Sequence, residues 1–76
     1  MWEKEYLVNA WVDVLIISKH KAIVLWPKGS IKNKFYIAHI FPKNNCSTIT
    51  LECEDYDLLK LKAIIKAKEI GWNVFF

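Results

Sequence analysis

The sequence predicts an α+β fold: a four-stranded antiparallel β-meander, one C-terminal α-helix packed on one face of it, and a short terminal strand, in a single domain over residues 1–76. Three observations carry this. Apolar residues alternate with others over 6–17 and 48–53, the period of a strand with one face turned inward. The clusters Pro27-Lys28-Gly29-Ser30 and Pro42-Lys43-Asn44-Asn45 punctuate the runs as turns. From residue 58 the apolar spacing becomes helical, behind Asp55 and ahead of Gly71.

Taken in order, the first strand covers Tyr6 to Ile17, with Tyr6, Val8, Ala10, Val12, Val14 and Ile16 on its inner face. Ser18-Lys19-His20-Lys21 breaks it, and Ala22 to Trp26 is the second strand. Proline cannot donate to a ladder and glycine tolerates turn angles, so residues 27–34 read as a loop. Phe35 to Phe41 forms the third strand and Thr48 to Cys53 the fourth. Asp55 is suited to cap a helix and Asp57 to complement its dipole. That helix runs to Ile70, Gly71 ends it, and residues 72–76 make the last short strand.

Loops of these lengths pair Val14 with Leu25, Leu25 with Tyr36, and Ile40 with Ile49. Val12, Val14 and Ile16 then join Ile23, Leu25, Ala38, Ile40 and Leu51 beneath the helix, whose apolar positions from Leu58 to Ile70 cover them. The opposite face gathers Trp11, Leu15, Val24, Trp26, Phe35, Ile37, His39 and Phe41. So many large side chains on one open face mark an interaction site. A slip of one strand by one residue would exchange that strand's faces.

Composition narrows the function. A chain of 76 residues that is 54% hydrophobic and 14% aromatic has a core of marginal size, so burial against a second copy or a partner is expected to help stabilise it. Net charge is +3, and all 11 Lys+Arg residues are lysine. Without the bidentate fork of arginine, reading of duplex base edges is poorly served, although loose attraction to phosphate remains. Cys46 and Cys53, on or near one strand, would stand roughly 23 Å apart, too far for a disulfide. A reducing, cytoplasmic setting is expected, with neither a signal peptide nor a membrane span.

No catalytic, cofactor or metal motif stands out. His20 sits between two lysines in a turn, and His39 lies near Thr50 across a strand pair; both read as structural. Glu52, Glu54, Asp55 and Asp57 cluster where a strand ends and a helix begins, which is where capping and dipole preferences place acids. Lys28-Gly29-Ser30 lacks the upstream glycine and following helix of a phosphate loop.

The expectation is therefore a small non-enzymatic protein-interaction domain of regulator or inhibitor type, needing no cofactor, acting as a homodimer or on another protein. Its anchors are Trp11, Val24, Trp26, Phe35, Ile37 and Phe41. The alternative is a nucleic-acid binder that meets phosphate with Lys19, His20, Lys21 and Lys43 and stacks bases on the sheet aromatics. Asp13 and Glu52 on the aromatic face oppose phosphate and favour a protein partner. No membrane contact and no small-molecule substrate is indicated.

Overall fold

The structure is a computed structural model that describes residues 2–29, 34–42 and 47–74. Five strands, β1 (Trp2–Leu7), β2 (Ala10–Ile17), β3 (His20–Gly29), β4 (Lys34–Ile40) and β5 (Ile49–Cys53), form one antiparallel sheet in the order β1-β2-β3-β4-β5. The helix α1 (Tyr56–Glu69) packs across β3, β4 and β5. The predicted α+β meander with a C-terminal helix is thus present, with one strand more at its start.

That extra strand comes from a hairpin inside the expected first strand. Val8 and Asn9, at φ 46° and 61°, make a two-residue turn that pairs Leu7 with Ala10. Two left-handed residues in succession match the right-handed twist of the flanking strands, and Asn9 tolerates that conformation. β1 is an edge strand whose Glu3, Lys4 and Glu5 blunt further pairing. Lys4 Nζ lies 2.9 Å from Asp13 Oδ1 on the residue directly opposite.

The turn from β2 to β3 is also shorter than expected: Ser18 and Lys19, at φ 50° and 68°, replace a loop of four residues. β3 in turn runs through Pro27 to Gly29. Pro27 is tolerated because β2 pairs with β3 only as far as Leu25, so its missing N–H costs no bond on that side. Between β3 and β4 the register is Trp26 with Ile37, two residues from the expected Trp26 with Phe35, which leaves the faces unchanged. Ile40 pairs with Ile49 as the third turn's length predicts.

β2 is where the expected faces fail. A two-residue change in turn length preserves which face a side chain takes, but a bulge between Leu15 and Ile16 removes one residue from the register. Ala22 is the extra residue on β3, and its carbonyl accepts from Phe41 N at 2.8 Å. Val14 therefore opposes Val24 instead of Leu25. Leu15 and Ile17 lie beneath the helix, while Val12, Val14 and Ile16 turn to the other side, the reverse of the alternation-based assignment.

The core under α1 joins Leu15, Ala22, Ile23, Leu25, Ala38 and Ile40 to Leu59, Ala63, Ile64, Ala67 and Trp72. The helix ends follow the sequence signals. Asp55 Oδ1 accepts from Leu58 N at 3.1 Å and caps the first turn. At the other end Gly71, at φ 103°, lets its own N–H reach Lys68 O and that of Trp72 reach Ala67 O, a Schellman arrangement. Removing the cap oxygen with Asp55→Ala is expected to cost about 1 kcal/mol, read as a lower thermal midpoint with an unchanged far-UV spectrum.

Residues 72–74 are not the expected strand. Trp72 instead turns back into the core, 5% exposed, and its Nε1 donates to Phe41 O at 2.9 Å. A buried indole needs an acceptor, and that bond satisfies it.

Candidate interaction surface

The face of the sheet away from α1 is less open than alternation suggests. Val12, Val14 and Val24 form a small second core there, bordered by Leu7, Ile16, Trp26 and Phe41. Glu5 on β1 and Lys21 on β3 meet at 3.1 Å, so this ion pair spans β2 above its valines. The approach is off the line of a hydrogen bond, leaving Glu5 Oε2 with charge compensation only among the described residues.

The expected anchors consequently separate. Val24, 3% exposed, is a core residue and offers no surface. Trp26, Phe35, Ile37 and Phe41 are half-buried, so this face offers their edges and not whole side chains. Trp26 stands 6.2 Å from the His39 ring, and its buried Nε1 has no acceptor among the described residues. Trp11 leaves the group: it opposes Tyr6 on the helix side of the sheet, with ring centroids 5.4 Å apart.

Among the described residues, two other patches hold the most exposed large apolar side chains. The first is the β1–β2 hairpin, where Tyr6, Val8 and Trp11 are 57%, 85% and 63% exposed. α1 packs on β3, β4 and β5 and does not reach this end. The second is the outer face of α1, where Leu58, Leu61 and Ile65 are 43%, 48% and 49% exposed. They are spaced by three and four residues, as are residues on one helical face. Leu61 lies two residues from both Leu59 and Ala63, about 200° round the helix from that buried row. The broad stripe expected to cover the sheet is therefore two stripes on opposite sides. Their separate spacings, 58-61-65 and 59-63-67, are visible in the sequence once the two rows are written apart.

The basic end of the sheet is more modest. Lys19 lies in the second tight turn, His20 and Lys21 follow it, and Lys43 lies outside the described residues. Lys21 is already paired with Glu5. A pocket of about 470 Å³ opens here, lined by Ser18, His20, Lys21, Phe41, Pro42 and Trp72. His20 and Trp72 are 6.5 Å apart. The acids at the strand-to-helix junction act as their placement predicts, with Asp55 capping and Asp57 in the first turn.

Among the described residues no group of three or more His, Cys, Asp or Glu side chains could hold a metal ion. Cys53 is a half-buried free thiol, and Cys46 lies outside the described residues. No helix among the described residues is long and apolar enough to cross a membrane. Comparison with known proteins finds no matching family model, no matching curated protein and no matching solved structure.

Proposed function

We propose that this chain is a small non-enzymatic protein-interaction domain, of regulator or inhibitor type, whose exposed apolar surface is covered in its working assembly. One observation carries the reading: among the described residues of a 76-residue chain, six large apolar side chains, each at least 43% exposed, gather in two patches. Scattered exposed apolar residues are ordinary, whereas grouped ones mark interfaces. A helix apolar on two opposite sides fits a layer between the sheet and a further element. The half-buried apolar side chains Trp26, Phe35, Ile37 and Phe41 extend the available surface on the other side. The free thiol of Cys53 suits a reducing, cytoplasmic setting.

A hydrophobic dye and a sedimentation series together test this. The chain is expected either to assemble as concentration rises or to bind the dye as a monomer. A monomer that ignores the dye at every concentration sinks the reading.

The pocket beside His20 and Trp72 supports nucleic acid as the second reading, since aromatic edges next to Lys19 and Lys21 suit a stacked base and its phosphate. The Glu5 carboxylate paired to Lys21 weighs against it. Tryptophan fluorescence titrated with oligonucleotides at low salt is expected to stay flat; salt-sensitive quenching would reverse the ranking.

A further inference from the structure

We infer that the outer stripe of α1 is the seam of a homodimer in which two copies lay their helices side by side and parallel, with the two sheets facing outward. This rests on the interaction-domain reading above, and it names the partner as a second copy of this chain.

The spacing of the stripe comes first. Leu58, Leu61 and Ile65 follow the three-then-four step of a, d and a positions in a helix pair, and all three are about half exposed. The side of the helix that such a pair turns away from its partner holds Ala63, which here is buried on the helix's own sheet. One helix can therefore serve both contacts at once. Beside Ile65 the surface dips between α1 and β5, a shallow depression lined by Leu51, Ile65 and Lys62 among others, which offers a seat for a partner side chain.

Charge then selects both the partner and its direction. Asp57 directly precedes Leu58 on one flank of the stripe, and Lys62 directly follows Leu61 on the other. In a parallel pair these flanking positions face each other five residues apart, so Asp57 of each copy meets Lys62 of the other, twice by symmetry. An antiparallel pair would oppose Lys62 with its own copy and Glu69 with Asp55, like charge against like. A second copy in the parallel sense is thus self-complementary, and the reverse direction is penalised. The apolar seam stops at Lys68, the next d position, so it spans only part of a helix about 21 Å long. Two heptads are short for a helix pair, and the dimer is expected to form in the micromolar range or above.

Sedimentation equilibrium of the full chain, with far-UV spectra to show that each variant stays folded, tests the arrangement. Leu61→Glu is expected to weaken dimerisation at least tenfold. Asp57→Lys and Lys62→Asp should each weaken it roughly threefold to tenfold, and the double reversal should restore it towards wild type. Restoration separates pairing across the seam from any effect of Asp57 on the helix dipole, which the double variant would not repair. Wild-type chain that stays monomeric to roughly a millimolar overturns the inference, as does a Leu61→Glu variant that dimerises like wild type. A double variant no better than the singles overturns the parallel arrangement. If the monomer still binds hydrophobic dye, the homodimer fails while the broader interaction reading stands.

Discussion

Leu59→Ala is expected to lower stability by about 2–5 kcal/mol, whereas Leu58→Ala, one residue earlier, should cost well under half as much. Leu59 is 0% exposed and packs into the sheet among Ile23, Leu25 and Ile40, where loss of three carbons leaves a cavity that a β-sheet cannot collapse to fill. Leu58 is 43% exposed, and its truncation mostly removes surface that water already reaches. A chain of 76 residues has a total stability of roughly 4–11 kcal/mol, so the first change removes a large share of it. At about 4–8 °C for each kcal/mol, the thermal midpoint should fall by at least about 8 °C for Leu59→Ala. The comparison is made on dilute protein, so that any loss of self-association through Leu58 does not enter. Equal losses from the two substitutions would mean that the helix is rotated from the orientation described.

The contrast between those neighbours also shows what was legible in the sequence. The helix ends were, because Asp55 and Gly71 each carry out a local task that few other residues perform as well. So was the pairing of Ile40 with Ile49, which depends only on the length of one turn. The start of the chain was not. Crossing a two-residue turn exchanges even and odd positions, yet Tyr6, Val8, Ala10 and Val12 keep alternating straight through Val8 and Asn9, so period alone sees one strand. Asn9 was the single local hint. The bulge left even less trace, since this kind requires no glycine, and Ala22 suits a strand as well as a bulge. A one-residue defect thus reassigned Leu15, Ile16 and Val14, and with them the balance between a covered and an open sheet face. For the candidate surface, strand alternation placed the large apolar residues, and the observed register and helix orientation place several of them elsewhere. Trp11 ended at the hairpin and Val24 in a core, while Leu61 and Ile65, assigned inward, emerged on the outside.

Leu15→Asp is the sharpest test of that reassignment, because alternation and the observed register assign Leu15 to opposite faces. On the open face an aspartate would be nearly neutral, within about 0.5 kcal/mol. In the structure Leu15 is 3% exposed and belongs to the core beneath α1, with Ile23 directly across from it. A carboxylate placed among these apolar side chains is desolvated, so burial disfavours the charged form and the substitution should cost several kcal/mol at neutral pH. The pH dependence identifies the cause. Burial raises the folded-state pKa of the introduced carboxyl above its unfolded value of about 3.9. Between those two values the native state holds more protons than the unfolded one, so the variant loses stability as pH rises through that interval. Its deficit relative to wild type should be smallest below about pH 4 and reach a plateau once the folded pKa is passed. Chemical denaturation of both chains from acid to neutral pH measures this directly. A small deficit at neutral pH, or one that does not narrow on acidification, would return Leu15 to the solvent face and remove the bulge from the register of β2 and β3.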